Sequence, residues 1–230
     1  SDSAWQQLGQ QSIADWNGYY QEMTAAEGLA TDSGLPSDSQ VLGAVKRASA
    51  AKDVVVCAAG GLPGELHRLW RSEDPKGYHL EYGYSCMGYE IAGGLGVKMA
   101  CPEREVFVVV GDGSYMMLNS ELATSVMLGH KIIVVVLDNR GYGCINRLQQ
   151  GTGGAGFNNL LENCLSIEGG APKLDFAAHA AAMGAASEKV DDIAQLEQAL
   201  VRAKRSDISY VITLDTDPYK TSEGSCWWDV

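Results

Sequence analysis

The sequence predicts an α/β fold: a doubly wound, mostly parallel sheet of about six strands with helices on both faces. Three observations carry that expectation. Short runs rich in Val and Ile alternate with helix-length segments, as strands do when both faces of a parallel sheet are covered. Several runs end in glycine-containing turns, where an open α/β sheet places its ligands. The chain has 230 residues and is 46% hydrophobic, enough for one sizeable core in a single domain over 1–230.

Taken in order, residues 5–30 read as an amphipathic helix and 32–37 as a turn-rich connector, so 1–37 form an N-terminal helix and connector. Asp38 or Ser39 is expected to cap a helix over 40–50. Residues 53–58 are a buried strand, ending in Gly60-Gly61-Leu62-Pro63-Gly64. Further strands are expected at 78–82, 105–110, 131–137, 185–190 and 210–214, with helices between most of them. A single helix over 115–129 is expected to turn Met116, Met117 and Leu118 toward the core. Two stretches break the alternation. Residues 150–172 carry six glycines in 23 residues and read as a long loop beside the site. The tail, 216–230, ends in Cys226-Trp227-Trp228, which should pack on the sheet or on another subunit.

Chemistry concentrates at two strand ends. Gly111-Asp112-Gly113-Ser114 closes one apolar strand and Asp138-Asn139-Arg140-Gly141-Tyr142-Gly143 closes the next, with Asp112 and Asn139 separated by one helix and one strand. In a βαβ unit this places both oxygen donors at the same sheet edge. Gly111 and Gly113 let the backbone approach a ligand closely, and Ser114 opens a helix whose N-terminus attracts anions. A carboxylate beside a phosphate site would repel it unless a cation lay between them. Asp112 therefore implies a hard divalent metal, with Asn139 as a second oxygen ligand and magnesium the best fit.

These residues resemble the thiamine diphosphate signature of the acetolactate synthase and pyruvate decarboxylase superfamily. Tyr82-Gly83-Tyr84-Ser85-Cys86-Met87-Gly88-Tyr89-Glu90 is similar to its G-x-M-G-(F/Y) segment, and Leu174-Asp175-Phe176-Ala177 through Met183-Gly184-Ala185 to the element that follows. The resemblance implies thiamine diphosphate and Mg2+ as cofactors. It implies Asp112, Asn139 and the Gly141 carbonyl at the metal, and Gly60, Gly61, Leu62, Gly111, Gly113 and Ser114 at the diphosphate. Met87 would be the bulky residue under the bent cofactor, and the Ser85 carbonyl would meet the aminopyrimidine. Tyr142 would stack near that ring or pack as an ordinary aromatic. Within the superfamily, residues 58–65, 78–90 and 143–146 resemble the trihydroxycyclohexanedione hydrolases of myo-inositol catabolism, which open a cyclic 1,2-diketone to 5-deoxyglucuronate. The alternative is a decarboxylase or carboligase of acetolactate synthase type.

The resemblance also implies a missing part. The glutamate that activates the cofactor belongs to a pyrimidine-binding domain, and no second α/β set precedes Val54. That domain is expected on the same longer polypeptide or another chain, in a homo-oligomer, with this domain inactive alone. His79 and Glu81 end a strand just before 85–87, and one of them is expected to contact a polyol substrate. A nucleotide-binding Rossmann module is disfavoured, because neither G-x-G-x-x-G nor a P-loop occurs. The formal net charge of −12 disfavours nucleic acid and anionic membranes as partners. No run of 18 apolar residues occurs and residues 1–8 lack a leader pattern, so a soluble cytoplasmic protein is expected. The six cysteines form no C-x-x-C pair and read as reduced packing residues, with Cys86 and Cys144 falling inside the motifs.

Overall fold

A computed structural model describes residues 3–28, 31–81, 83–163 and 173–222. Among them, six parallel strands form one sheet: β1 (Val54–Cys57), β2 (Tyr78–Leu80), β3 (Val106–Gly111), β4 (Ile133–Asp138), β5 (Ala186–Val190) and β6 (Tyr210–Asp215). Their order is β2-β1-β3-β4-β6-β5, so the chain steps outward from β1 to β2 and then returns to the other side of β1 with β3. The carboxyl ends of β1 and β3 therefore diverge into a crevice, the switch point at which open α/β sheets bind ligands.

Period-two alternation along the strands builds two cores. Val55, Cys57, Phe107, Val109, Ile133 and Val135 face one way, against Val41, Leu42 and Val45 of α2 (Asp38–Ala48), Leu66 of α3 (Leu62–Leu69), and Leu196 and Leu200 of α9 (Ile193–Arg205). Val54, Val56, Val106, Val108, Val134 and Val136 face the other way, with Ile91 of α4 (Tyr89–Ala100) and Leu122 of α6 (Glu121–Leu128). Phe176 and Ala180 of α8 (Phe176–Ala182) join that second layer. Burial of branched side chains on both sides holds the sheet between its two layers of helices.

Several local expectations are corrected. The segment after β3 is two helices, α5 (Asp112–Met117) and α6: Leu118 leaves the helical region with φ −150° and ψ 76°, and the amides of Leu122 and Thr124 then donate to the Asn119 and Ser120 carbonyls to start the second helix. Met116 and Met117 are half exposed, and Tyr115 takes the core position instead. Ser37, not Asp38 or Ser39, caps α2. Its hydroxyl accepts from Gln40 N while the Gln40 side chain accepts from Ser37 N, a reciprocal capping box. The N-terminal helix α1 (Ser3–Thr24) ends earlier than expected, and Trp5, Leu8 and Ile13 on it are exposed. Helix α7 (Gly143–Gly151) extends into the glycine-rich stretch, whose remainder up to 163 includes a 3-10 turn at Leu161–Asn163. Residues 164–172 and 223–230, with Cys164 and the Cys226-Trp227-Trp228 expectation, lie outside the described residues. Among the described residues no helix is long and apolar enough to cross a membrane.

Candidate active site

One cavity of about 690 Å³ opens at the switch point. Every residue expected at the cofactor or metal lines it: Gly60, Gly61 and Leu62 after β1; Gly111, Asp112, Gly113 and Ser114 after β3; Asn139, Gly141 and Tyr142 after β4; and Ser85 and Met87 from the loop before α4. The strand register explains the convergence. Gly111 pairs with Leu137, so Asp112 and Asn139 emerge from adjacent strands at nearly the same level.

Asp112 is buried, and its Oδ2 accepts the Gly141 N–H at 2.8 Å. That bond folds the loop after β4 back toward β3. Arg140 and Gly141 take positive φ, of 62° and 142°, while Asp138 Oδ1 accepts the Arg140 N–H. One end of the Asn139 carboxamide then lies 3.2 Å from Asp112 Oδ1 and 2.7 Å from the Gly141 carbonyl oxygen. With its NH2 at that end, the amide donates to both. Turned over, the amide presents its oxygen at the same point, and carboxylate, carboxamide and carbonyl oxygens meet there. This all-oxygen set suits a hard divalent cation. Among the described residues no cluster of three or more His, Cys, Asp or Glu gathers, so softer metals find no comparable site. Burial pushes the Asp112 carboxyl up to about 7, with nearby Asp138 adding to it and the Gly141 and Gly113 amides opposing.

Ser114 is placed differently from a simple phosphate donor. Its hydroxyl donates to Glu90 Oε2 at 2.7 Å and accepts the Gly88 N–H at 2.7 Å, while Glu90 Oε1 accepts the Ala59 N–H at 3.1 Å. Glu90, which sequence reading did not single out, thus ties the loops after β1 and β3 to the start of α4. Burial raises its pKa, against the opposing hydrogen bonds.

His79 and Glu81, one of them expected at a substrate, do not line this cavity. Both Glu81 oxygens accept backbone amides, from Tyr84 and Cys86, so the carboxylate shapes the loop that carries Ser85 and Met87. His79 Nε2 lies 2.7 Å from the Tyr89 hydroxyl, and the rings stack. Of the two motif cysteines, Cys144 lines the cavity and Cys86 does not.

Sequence reading also missed the far wall, formed by Asp38, Glu65, Arg68, Arg147, Thr221 and Ser222. Glu65 Oε2 accepts the Ser39 hydroxyl and its Oε1 accepts both the amide and the hydroxyl of Ser222, joining α2, α3 and the segment after β6. Asp38 is buried, and its Oδ1 has no partner among the described residues. Burial pushes its pKa to about 7; Arg147 opposes the rise, while Glu65 and Asp217 add to it. A carboxyl with a raised folded pKa contributes stability that is fully present below its unfolded pKa and lost as pH rises through the folded value. Replacing it with an uncharged isostere removes that loss. Asp38→Asn should therefore gain stability over the parent between pH 5 and pH 8, by on the order of 3 kcal/mol at pH 8. Urea unfolding at both pH values checks this, and a pH-independent difference would refute it.

A hard-cation site beside amide-rich loops at a parallel-sheet switch point defines a domain for a metal-bound polyphosphate. Residues 58–214 match the family model "Thiamine pyrophosphate enzyme, C-terminal TPP binding domain". The chain belongs to that family. It is 44% identical over 199 residues to a 3D-(3,5/4)-trihydroxycyclohexane-1,2-dione hydrolase of Bacillus cereus, covering 84% of this chain and 31% of the relative. A second Bacillus cereus protein of that name is 47% identical over 182 residues, covering 77% of this chain and 28% of the relative. The chain thus spans about a third of the length of the curated relatives it matches. A thiamine diphosphate-dependent 4-hydroxybenzoylformate decarboxylase of Rhodococcus jostii shares the fold at a TM-score of 0.70 and 17% identity, over 84% of this chain and 34% of that one. The residues present fit the cofactor: three oxygens converge for a cation, and the loops after β1 and β3 offer backbone donors at one cavity.

Proposed function

We propose that this chain is the diphosphate-binding part of an enzyme that hydrolyses a carbon-carbon bond in 3D-(3,5/4)-trihydroxycyclohexane-1,2-dione, yielding 5-deoxyglucuronate. The observation that supports this best is the likeness to relatives bearing that hydrolase name, 44% identical over 84% of the chain.

Thiamine diphosphate, when bound, supplies the carbanion chemistry, and the protein supplies binding, orientation and electrostatics. Asp112, Asn139 and the Gly141 carbonyl hold magnesium. The amides of Gly60, Gly61, Leu62, Gly113 and Ser114 face the diphosphate, with the Ser114 hydroxyl reserved for holding Glu90. Met87 and the Ser85 carbonyl set the position of the cofactor's rings, and Tyr142 borders them. The pyrimidine-binding domain and its activating glutamate come from outside residues 1–230, on the same polypeptide or a partner chain, and a homo-oligomer assembles the complete site. Scattered cysteines without a C-x-x-C pair suit a reducing compartment, here the cytoplasm.

The test uses the full-length enzyme with thiamine diphosphate, magnesium, and an equimolar mixture of the cyclic dione and pyruvate, with products identified by mass spectrometry. Ring-opened deoxyuronate is expected. Carbon dioxide with acetolactate or acetaldehyde would instead place the protein among the decarboxylases and carboligases.

A further inference from the structure

We propose that Arg147 is a phosphate-binding residue of the cavity, its guanidinium standing where a side chain at position 61 would stand. The inference rests on thiamine diphosphate being the ligand of this cavity, and it adds a contact that the signature motifs do not contain.

Helix α7 turns one face to the cavity: Gly143, Cys144, Arg147, Leu148 and Gly151 line it at helical spacing. Arg147 is anchored from behind, its Nη1 donating to the Pro218 carbonyl at 2.5 Å. Its Nη2 and Nε make no hydrogen bond among the described residues. A Cβ built on Gly61 would fall 2.5 Å from Arg147 Nη2, so the guanidinium lies directly against that loop and would have to swing aside for any side chain there. The same loop offers donors. Gly60 takes φ +84°, and the amides of Gly60, Gly61 and Leu62 reach no acceptor among the described residues. A planar cation with open N–H groups beside three open amides is a receptor for an anionic oxygen cluster.

The surrounding charges strengthen the case. The chain carries a formal net charge of −12, so no general basic field draws in a diphosphate. Glu65 is saturated by Ser39 and Ser222, and Arg68 Nη1 donates to the Ser222 carbonyl and hydroxyl. Asp38 lies near Arg147 but makes no hydrogen bond to it among the described residues, so the guanidinium is not closed off in a bidentate ion pair. A purely structural arginine would have its donors occupied. Only one nitrogen of Arg147 holds the Pro218 segment.

The test is a set of titrations on the full-length protein in magnesium, read by isothermal calorimetry: thiamine diphosphate, inorganic pyrophosphate and thiamine, against the parent and Arg147→Met and Arg147→Lys. Binding of thiamine diphosphate by the parent checks the underlying reading first. Arg147→Met should then weaken thiamine diphosphate and pyrophosphate by about 10- to 100-fold and leave thiamine unchanged, as expected for a lost charge-assisted contact. Arg147→Lys should recover part of the loss. If Arg147→Met does not fold, Gly61→Ala displaces the guanidinium while keeping its charge, and it should weaken the same two ligands. Diphosphate affinities within twofold of the parent in any folded variant of Arg147→Met or Gly61→Ala would overturn the proposal and leave Arg147 as a strut for Pro218.

Discussion

Asp112→Ala is expected to lower magnesium-dependent affinity for thiamine diphosphate by at least about 100-fold, and turnover with it, while the domain still folds. Outer-shell partners of a metal typically contribute 10- to 100-fold in affinity, and Asp112 stands in the inner donor set with the charge that holds the cation. The fold survives because the lost carboxylate serves only loop donors, the Gly141 and Gly113 amides and the facing end of the Asn139 carboxamide. Leaving a buried donor unmet costs about 1–3 kcal/mol. Asp112→Asn restores an acceptor for Gly141 but removes the negative charge, so it should recover stability and only part of the affinity. Calorimetric titration with magnesium present, paired with thermal melts of the ligand-free proteins, separates the two effects. Equal affinity in Asp112→Ala and parent would remove Asp112 from the metal site.

Gly141→Ala is expected to damage both the fold and the site. Gly141 takes φ +142°, a conformation that side-chain-bearing residues avoid, and an added Cβ would collide with the Asn159 carbonyl oxygen and come within 3.0 Å of Leu160 Cα. Those atoms are backbone. Gly141 pairs with Leu160 in an isolated antiparallel bridge, and Tyr142 N donates to Asn159 O at 2.7 Å, so the two loops cannot simply part. Strain of this kind costs on the order of 3 kcal/mol. The Gly141 carbonyl would move with the loop, taking one oxygen from the cation. Gly111→Ala is the control, since a Cβ there meets nothing within 4 Å and φ is −74°. Its denaturation midpoint should match the parent, whereas that of Gly141→Ala should fall clearly; coincident midpoints would refute the strain argument.

Much of the sheet was legible because buried parallel strands need near-continuous Val and Ile, and β1, β3 and β4 carry such runs up to their ligand-edge turns. The meeting of Asp112 and Asn139 was legible because they close adjacent strands. Helix interruptions were less so: the apolar residues 115–118 read as a continuous helix, and only packing decides that Tyr115 goes inward while Met116 and Met117 stay exposed. Contacts between distant segments left no local signal. Glu65 meets Ser222 across 157 positions, and Arg147 meets the Gly61 loop from another helix. Arg147 had one faint sign, its place four residues after Gly143 on the helix that follows the Asn139 turn. A strand end is only a location, and the partners of His79 and Glu81, the Tyr89 hydroxyl and the loop amides, left no sign in the sequence.

The central claim is that the crevice between β1 and β3 binds a diphosphate through a divalent cation. The most direct measurement is calorimetric titration of the full-length protein with thiamine diphosphate and with thiamine, each in magnesium and in EDTA. Tight binding of thiamine diphosphate in magnesium, weakened about 100-fold in EDTA, with thiamine weak in both, is the result the structure leads us to expect. Thiamine diphosphate binding that ignores EDTA, or that equals thiamine binding, would contradict it.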